Sequence, residues 1–437
     1  MIKVAKFGGS SVSDAAQFQK VKAIVQADPA RRLIVVSAAG KRSAEDHKLT
    51  DLLYLCHAHL TYGVPCDEIF SVIRSRLLEI RDSLGLRTDL EQELDALKAG
   101  LSKDTSVDDL VSRGEYFTAR MMADFLDFPF IDAASCVFFR YDGQIDRERT
   151  YEAIRQQLKE HGSMVLPGFY GSLPSGRCKV MTRGGSDITG ALAAAAVDAE
   201  VYENWTDVSG ILMADPKIVP HPKPIQRITY GELRELAFMG ASVLHEESVL
   251  PVKEKGIPLN IRNTDRPQDP GTLIVESAAP EEGPGHLLTG IAGRRNFDIL
   301  TIRKRELSGT QDLRTVLELF DRFRVPVEHI TMGLDSFALV ASAAALGDSL
   351  YDLLADIKKL CKPDDISVQE HIALVAAVGR KMTFRPGASG RVFKALGDKG
   401  VNIRTIAQGA DELSIIVGVD NSQFETAIRI LYDGFGE

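Results

Sequence analysis

The first 275 residues alternate between short apolar segments and longer segments with helical periodicity. The short segments, which have the length and composition of buried strands, are Ile2–Phe7, Leu33–Val36, Phe130–Asp132 and Met164–Leu166. The segments with helical spacing are Phe18–Gln26, a stretch from about Leu49 to Gly100, and Ile188–Val197. Short strands between helices predict a three-layer αβα domain of the α/β class with a mainly parallel sheet. In such sheets ligands bind beyond the carboxyl ends of the strands.

The last third of the chain contains an internal repeat. Val325–Gly333 matches Val401–Gly409 at an offset of 76 residues (401 − 325 = 76), and at this offset the match runs on from Phe337/Leu413 to Val340/Ile416. In each copy a strand and a helix precede the matched segment, and a second strand and a helix follow it. The repeat predicts two βαββα units of ferredoxin-like α+β type, with two unrelated small domains as the alternative.

A segment rich in proline, glycine and glutamate, Glu276–Gly285, separates the two regions and predicts a linker. We therefore expect four parts along the chain. They are a first domain over residues 1–275, a linker over 276–288, the first repeat domain over 289–370 and the second over 371–437.

Composition narrows the class of protein. The chain has 437 residues and a formal net charge of −9, so it lacks the basic excess typical of proteins that bind nucleic acid. The five cysteines form no C-x-x-C pair and the nine histidines show no ligand spacing, so we expect reduced thiols and no resident metal. We find no signal-peptide core and no apolar run of membrane length, so we expect a cytoplasmic protein that does not bind a membrane.

Two diglycine motifs each stand next to a predicted helix. Lys6-Phe-Gly-Gly-Ser10 follows the first strand, and Arg183-Gly-Gly-Ser-Asp187 precedes the helix at Ile188–Val197. Glycines let backbone N–H groups approach an anion, and a helix N-terminus and a lysine add positive charge, so both motifs are candidate anion sites. The structural alternatives are a plain tight turn, a helix-capping Asp187 and a surface-paired Arg183.

Three more polar motifs fall at predicted strand or helix ends. Ser37-Ala-Ala-Gly-Lys-Arg42, followed by Thr50, forms a basic loop that is a candidate lid or substrate loop. Ser112–Glu115 begins a predicted helix, and Thr206-Asp207 with Asp215-Pro-Lys217 offers groups for a nucleotide. The alternatives, in the same order, are a solvated loop, a glutamate that favours a helix N-terminus, and an ordinary ordered loop.

The order of these motifs is more specific than any one of them. The chain contains, in order, K-F-G-G-S-S-V, S-A-x-G-K-R, S-R-G-E, R-G-G-S-D, T-D-V-S-G, D-P-K, G-A-S-V-L-H (240–245) and N-T-x-x-P-x-x-P-G-T (263–272). Over nearly its whole length it thereby resembles the aspartokinases of the amino acid kinase family, and its repeat resembles their paired ACT domains. The resemblance implies an amino acid kinase domain, two regulatory ACT domains, ATP and Mg²⁺ as cofactors, and phosphorylation of L-aspartate to 4-phospho-L-aspartate.

The resemblance also implies roles for single residues. Lys6 and Asp187 would be catalytic, Lys6 by stabilising phosphoryl charge and Asp187 by organising Lys6 and the acceptor. Glu115 would bind the α-ammonium of aspartate and Arg183 its α-carboxylate, with further substrate contacts from Ser37 and Thr50. The nucleotide would be bound by Lys6, Gly8, Gly9, Ser10, Thr206, Asp207, Asp215 and Lys217.

The paired ACT domains imply regulation and assembly. Lysine or threonine would act as feedback inhibitors, with Glu328, Met332, Gly333 and Asp335 as candidate effector-binding residues. The ACT domains would also join the chain into a homodimer or a higher homo-oligomer; if they do not bind an effector, assembly is their remaining role.

The sequence departs from the family pattern at three places. Ser242 stands where a lysine usually contacts ATP, and His245-Glu-Glu-Ser248 replaces the usual H-P-[RA]-T. The segment Leu212–Met213 lacks a tyrosine that is often found there. We therefore do not predict ATP contacts from these segments.

The implied chemistry explains which residue types are present. A carboxylate is already nucleophilic at neutral pH, so the site needs cations and N–H groups that bring two anions together, not a strong general base. Two alternatives stay open: an amino acid kinase for glutamate, acetylglutamate, carbamate or a nucleotide, and a non-catalytic amino-acid sensor. The kinase interpretation requires the two diglycine motifs to converge, with Lys6 and Arg183 facing one cavity.

Overall fold

The computed structural model describes residues 1–182, 184–241, 244, 246–278, 287–305, 310–383 and 385–435. The chain divides into two compact units. Unit 1 comprises Met1–Ile211, Pro224–Tyr230 and Val243–Ala278, and unit 2 comprises Leu212–Lys223, Gly231–Ser242 and Ala279–Glu437.

Short strands and longer helices are interspersed along the chain up to residue 278, with six α-helices in succession between Val36 and Met164. The strands are β1 (Lys3–Phe7), β2 (Arg31–Val36), β3 (Met164–Pro167), β4 (Tyr170–Ser172), β5 (Cys178–Val180), β6 (Val201–Thr206), β7 (Arg227–Thr229), β8 (Leu259–Asn263) and β9 (Thr272–Val275). The helices are α1 (Ala15–Gln26), α2 (Leu49–Tyr62), α3 (Asp67–Leu84), α4 (Leu90–Gly100), α5 (Val107–Val111), α6 (Arg113–Leu126), α7 (Arg147–His161), α8 (Gly185–Ala196), α9 (Tyr230–Phe238) and α10 (Glu246–Glu254).

The central sheet of unit 1 has the strand order β3-β2-β1-β6-β8-β9-β7. All of its neighbouring strands are parallel except the pair β8 and β9. Strands β4 and β5 form a separate antiparallel hairpin. The predicted mainly parallel sheet of the α/β class is therefore confirmed.

Successive side chains of a strand point to opposite faces of the sheet, so each strand contributes residues to both faces. Helices cover both of these faces. On one face, Ala5 and Phe7 of β1 and Ile34 and Val36 of β2 share an apolar core with residues of α1, α2, α3 and α6. On the other face α8 packs against β1, β2 and β6, with α7 and α10 beside it. Lys6 lies between Ala5 and Phe7 in the strand and points to the α8 face, where it reaches Asp187.

Two predicted elements of unit 1 differ in the structure. The long helical stretch is three helices, because Gly63 and Gly85 adopt the left-handed conformation (φ 70° and 62°) and end α2 and α3. The predicted strand Phe130–Asp132 makes only an isolated bridge from Phe130 to Val165.

Unit 2 contains the two repeats side by side in one antiparallel sheet. Its strands are β10 (Gly290–Arg303), β11 (Val327–Met332), β12 (Ser336–Ser342), β13 (Asp365–Val378), β14 (Thr405–Gln408) and β15 (Ser414–Asp420), in the order β11-β12-β10-β13-β15-β14. Its further helices are α11 (Thr310–Arg322), α12 (Ala343–Leu346), α13 (Leu350–Cys361), α14 (Ala388–Asp398) and α15 (Phe424–Phe435). The predicted βαββα order occurs twice, and the ferredoxin-like α+β class is confirmed.

The match between the repeats changes its offset at the hairpin turn. Arg303 pairs with Ser336 in the first copy and Val378 pairs with Ser414 in the second, so the hairpins' second strands are offset by 78 residues (414 − 336 = 78). The 76-residue offset therefore holds before the turn and is wrong beyond it. Three residues separate β11 from β12 and five separate β14 from β15, which accounts for the difference.

Two segments that the sequence analysis placed in the first domain belong to unit 2 by their contacts. Ala214, Ile218 and Val219 join the apolar core formed by the second repeat. In Gly231–Ser242, the buried Glu232 carboxylate accepts hydrogen bonds from the backbone N–H and the guanidinium of Arg380. The predicted linker falls largely on residues 279–286, outside the described residues, so the four domain boundaries stay predictions.

Candidate active site

Three adjacent strands of the unit 1 sheet end at the same height. Phe7 of β1 pairs with Val36 of β2 and with Trp205 of β6, and all three strands are parallel. The residues that follow them therefore meet at one edge of the sheet, as the parallel topology predicts.

A cavity of about 560 Å³ lies at this edge. Its lining includes nine residues that the sequence analysis assigned to substrate or nucleotide, namely Lys6, Gly8, Gly9, Ser10, Ser37, Thr50, Glu115, Thr206 and Asp207. Four further residues complete the lining: Ala38, Gly40, Lys41 and Lys48. The basic loop, the first diglycine motif and the start of α6 thus share one cavity.

Two polar side chains hold the ammonium group of Lys6 in place. Its ammonium lies 2.7 Å from Asp187 Oδ1 and 3.4 Å from Asn204 Oδ1. Asn204 also donates from Nδ2 to Asp187 Oδ1 at 3.0 Å, so the three side chains form a closed triangle. Lys6 is only 7% exposed and Asn204 5%, and a buried ammonium is stable only with such partners.

The ion pair between Lys6 and Asp187 brings the two diglycine motifs together. Gly8 and Gly9 follow Lys6 directly, and Gly184 and Gly185 precede Asp187 at the start of α8. Gly184 has a positive φ of 78°, which favours glycine at this helix start. Arg183 itself lies outside the described residues, so the predicted convergence is supported through Asp187 alone.

Gly9 is required by close packing, not by an unusual backbone angle. A Cβ atom on Gly9 would lie 2.9 Å from the carbonyl oxygen of Ala38, and one on Gly40 would lie 2.5 Å from the carbonyl carbon of Gly9. Gly40 N donates to Gly9 O at 2.8 Å across the same contact. Within the described residues, the N–H groups of Gly9 and Ser10 donate no hydrogen bond, which leaves them available to an anion.

Glu115 is a buried carboxyl group in the lining of the same cavity. It is 4% exposed, and its Oε2 has no hydrogen-bond partner within the described part of the chain. Burial raises the pKa of Glu115 to about 8, although a hydrogen bond from the backbone of Ala38 works in the opposite direction. A buried carboxyl without a full set of partners favours binding of a cation such as an α-ammonium group.

Helix α6 also fixes the backbone of the strand end at β2. Thr118 Oγ1 accepts a hydrogen bond from Ala39 N at 3.2 Å and donates to Gly114 O at 2.8 Å. Gly114 allows this approach, because its Cβ would lie 3.0 Å from the Cβ of Ala38. The start of α6, which carries Glu115, is thereby held against the backbone that follows Ser37.

Some predicted site residues are not among the residues that line this cavity. Asp215 and Lys217 belong to unit 2, where Asp215 Oδ1 accepts from Lys217 N at 2.8 Å within one turn. Ser242 and His245, at two of the departures from the family pattern, lie outside the described residues. The nucleotide contacts of Asp215 and Lys217 stay predictions.

The four candidate effector residues lie around the β11–β12 hairpin of unit 2. Glu328 is paired with Arg294 of β10 at 3.2 Å, and its side chain is 11% exposed. Gly333 N donates to Ser336 O across the turn, Asp335 O accepts from Lys304 N, and Met332 is exposed. Effector binding by these four residues stays a prediction.

Sequence reasoning missed Asn204, and it gave Lys41 and Lys48 no individual role within the candidate substrate loop. Asn204 stands beside Glu203 in the buried middle of a parallel strand, between Tyr202 and Trp205, and polar residues buried in such a strand require specific partners. That pattern was the available signal for Asn204.

The described residues contain no group of three or more histidine, cysteine, aspartate or glutamate side chains able to hold a metal ion. Mg²⁺ commonly binds through substrate phosphates, waters and only one or two carboxylates, and Asp207 supplies one carboxylate to the cavity. The site therefore fits a metal ion that arrives with a nucleotide. All five cysteines are free thiols, and no helix in the described ranges has the length and apolarity to span a bilayer.

Together the fold and the site define a class of enzyme. One cavity at the end of a mainly parallel sheet contains a lysine, free N–H groups that can bind phosphate, and a buried carboxyl group. This is the arrangement of a small-molecule kinase that acts through charge neutralisation and positioning.

Comparisons with known proteins agree with this class. Residues 1–263 match the model of the amino acid kinase family, and residues 375–435 match an ACT domain. Aspartokinase 3 of Bacillus subtilis is 32% identical over 450 residues, covering 99% of this chain and 98% of that protein. The chain therefore belongs to the aspartokinases of the amino acid kinase family.

Solved structures give the same relationship. Aspartate kinase from Clostridium acetobutylicum is 44% identical with a TM-score of 0.93, covering 99% of both chains. Aspartokinase III of Escherichia coli covers 100% of both chains in two structures. The complex with aspartate and ADP has a TM-score of 0.71 and 30% identity, and the complex with lysine and aspartate has 0.76 and 29%.

Proposed function

We propose that this chain transfers the γ-phosphoryl group of ATP to the side-chain carboxylate of L-aspartate, with Lys6 as the catalytic cation. The contact between Lys6 and Asp187 at the sheet edge is the observation that carries the proposal. Membership of the aspartokinases supports the choice of acceptor, and the E. coli relative was solved with aspartate and ADP.

The main obstacle to this reaction is repulsion between two anions. Lys6 and the N–H groups of Gly9 and Ser10 would bind the transferring phosphoryl group and stabilise charge on its oxygens. Mg²⁺, when bound with ATP, neutralises phosphate charge, and Asp207 and Thr206 are the lining residues that would face it. Asp187 and Asn204 keep Lys6 in place, so the ammonium does not have to be reoriented during the reaction.

A second group of lining residues would hold the acceptor. Glu115 would bind the α-ammonium of aspartate, and Ser37 and Thr50 would hydrogen-bond to its carboxylates. Arg183 would bind the α-carboxylate, and Asp215 and Lys217 would bind the nucleotide. The β-carboxylate oxygen then attacks phosphorus, the bond to the ADP oxygen breaks, and 4-phospho-L-aspartate and ADP form.

An ADP-release assay tests the proposal with aspartate, glutamate and acetylglutamate as acceptors. We expect turnover with aspartate and at least about 100-fold lower kcat/KM with the others, because a misplaced carboxylate loses positioning. Equal turnover with another acceptor would make the chain a different amino acid kinase. Binding of ATP without turnover for any acceptor would leave the sensor alternative.

We also propose that unit 2 binds lysine or threonine and lowers activity. The E. coli relative carries the name lysine-sensitive aspartokinase 3, and it was solved with lysine. Glu328, Met332, Gly333 and Asp335 would contribute to the effector site in the first repeat. Inhibition assays with lysine and threonine, alone and together, test this role, and no response to either would leave assembly as the function of the unit.

Assembly through unit 2 is supported by its sheet edges. The edge strands are β11 and β14, and an exposed edge strand is a template for pairing with another chain. Met332, Leu334 and Ile406 are exposed apolar residues on or next to these edges. Light scattering coupled to size exclusion tests the proposed homodimer, and a monomer at all concentrations would contradict it.

A further inference from the structure

One buried guanidinium donates hydrogen bonds to the loop between β2 and α2 at two separate positions. Arg76 of α3 donates to Gly40 O at 2.6 Å and to His47 O at 2.5 Å. Arg76 is only 4% exposed, and two carbonyl groups seven residues apart in the chain (47 − 40 = 7) converge on it. The backbone of residues 40–47 is therefore restrained without contact to any substrate.

Asp46, one of two acidic residues in the loop beside Glu45, and Arg42 also form ion pairs. Asp46 accepts from the backbone N–H of Arg42 at 3.0 Å and from its Nε at 3.1 Å, and it lies 3.4 Å from Arg76. Burial opposes ionisation, but these hydrogen bonds and the charge of Arg76 lower the pKa of Asp46 to about 2. Arg42 also pairs with Glu79 at 3.0 Å. Asp46 therefore stays ionised and bound to the arginines near neutral pH.

Two lysines of the same loop have no such partner. Lys41 and Lys48 are exposed and line the cavity that contains Lys6. Across the part of the chain that the structure describes, neither forms an ion pair or a side-chain hydrogen bond. Lys41 follows Gly40, which packs on Gly9, and Lys48 directly precedes α2, the helix that carries Thr50.

The charge of Lys6 alone does not match the proposed substrates. Asp187 neutralises much of it at 2.7 Å, whereas the reaction brings a triphosphate and a dicarboxylate into one cavity. A lysine on a mobile loop would lose backbone entropy as well as side-chain entropy on binding, but here Arg76 already fixes the backbone, so only the side-chain cost is left. Preorganised cations are most effective where anionic charge has to be held together.

We propose that residues 40–48 form a preorganised cationic loop in which Lys41 and Lys48 bind anionic groups of the substrates, with Arg76 as the positioning residue that fixes the loop. This proposal rests on the proposed kinase function and assigns further residues to the same site. The alternative is that both lysines are merely solvated, as exposed lysines usually are.

Lysine variants separate these two possibilities. We expect Lys41→Met and Lys48→Met each to lower kcat/KM about 10-fold, and the double variant about 100-fold, as for loss of independent charge contacts. The control is Lys159→Met, the same change at an exposed lysine of α7 outside the cavity lining, which should stay within about 2-fold of the parent. Affinity for a non-hydrolysable ATP analogue with Mg²⁺, titrated at two salt concentrations, should weaken in the double variant and depend less on salt.

Arg76→Met tests the positioning role through a double-mutant cycle. In the parent, the two lysine changes together should lower kcat/KM about 100-fold. If Arg76 acts through the lysines, the same two changes, Lys41→Met and Lys48→Met, should lower kcat/KM by a smaller factor when they are added to Arg76→Met. Asp46→Asn, which weakens the same network, serves as the second variant if Arg76→Met does not fold. An active parent enzyme whose lysine variants match the Lys159→Met control would overturn the loop proposal, whereas an inactive parent with every acceptor would overturn the proposed function.

Discussion

The ammonium of Lys6 and the carboxylate of Asp187 form an ion pair at 2.7 Å, although 181 positions separate the two residues (187 − 6 = 181). This contact joins the end of β1 to the start of α8 and places the two diglycine motifs at one edge of the sheet. Asn204 of β6 closes the arrangement by bonding to both partners. The catalytic role that we propose for Lys6 depends on this geometry.

Asn204→Ala should slow catalysis without unfolding the protein. Removing a hydrogen bond to a charged group costs about 1.5–3 kcal/mol, so we expect kcat to fall about 10- to 100-fold as Asp187 and Lys6 lose their fixed orientation. The matched control is Asn260→Ala in β8, whose amide bonds to Pro270 O away from the cavity. Steady-state kinetics and thermal unfolding of both variants test this prediction. If the two variants have equal effects on kcat and on stability, Asn204 has a structural role only.

The pH dependence of aspartate binding should follow the ionisation of the Glu115 carboxyl group. Its pKa of about 8 means that the carboxyl is mostly protonated below pH 7 in the free enzyme, whereas an α-ammonium prefers the carboxylate. We expect KM for aspartate to fall by up to about 10-fold per pH unit between pH 6 and 8. Glu115→Gln should raise KM and remove this dependence, while KM for ATP changes little. A parent-like pH profile in that variant would contradict the assignment.

The same group should affect stability with a definite sign. Because the pKa of Glu115 is raised from 4.5 to about 8 on folding, the folded chain holds the proton to higher pH than the unfolded chain does. Its favourable contribution is complete below pH 4.5 and is lost as pH rises through 8, by at most about 5 kcal/mol. The Tm of Glu115→Gln relative to the parent should therefore rise between pH 6 and pH 9. If this difference in Tm does not change with pH, Glu115 is not the buried, uncharged group near neutral pH that we describe.

Gly40→Ala should damage both substrate sites through the backbone. Its Cβ would lie 2.5 Å from the carbonyl carbon of Gly9, so either the cationic loop or the first diglycine motif has to move. We expect kcat/KM to fall at least about 100-fold, since displacements near 1 Å at a reacting site have effects of that size. Gly100→Ala is the control, because a Cβ there meets no atom within 4 Å. Unchanged kinetics for Gly40→Ala would contradict the tight packing of these two turns.

A buried ion pair should stabilise unit 2. Arg380 bonds to Glu232 at 2.8 Å, and Glu232 is fully buried and also accepts from Thr289 Oγ1. Arg380→Met leaves a buried charge without its main partner, so we expect a loss of about 3–5 kcal/mol in unfolding free energy. Arg314→Met removes an exposed pair with Glu318 and should cost less than about 0.5 kcal/mol. Urea unfolding monitored by hydrogen exchange in α9 measures both, and equal stability of the two variants would refute the expectation.

The fold class was readable from the sequence because local patterns determined it. The short apolar segments ending at Phe7 and Val36 predicted two parallel strands with ligand-binding residues beyond them, and both predictions about the strands are confirmed. Element ends were less predictable: Gly63 and Gly85 divide the long helical stretch through their left-handed conformation, which competes with helical periodicity.

Long-range pairings were not readable from the sequence. Nothing near Gly40 indicates that Arg76, 36 positions away, binds its carbonyl (76 − 40 = 36), and nothing near Lys6 indicates Asn204 as a partner. The repeat offset failed beyond the hairpin turn because two extra turn residues do not change the hydrophobic alternation on either side. Such contacts depend on tertiary packing, which a single sequence does not specify position by position.

Replacing Lys6 is the most direct test of the central claim, that a buried ammonium held by Asp187 stabilises the transferring phosphoryl group. Aspartate-dependent ADP release should fall at least about 1,000-fold in Lys6→Ala, the size of effect expected from removing a main charge-stabilising group. Its far-ultraviolet circular dichroism should match the parent, and Lys3→Ala in the same strand, which removes an ion pair with Asp28, should keep near-parent activity. Phosphorylation of aspartate by folded Lys6→Ala at a rate within about 10-fold of the parent would contradict the claim.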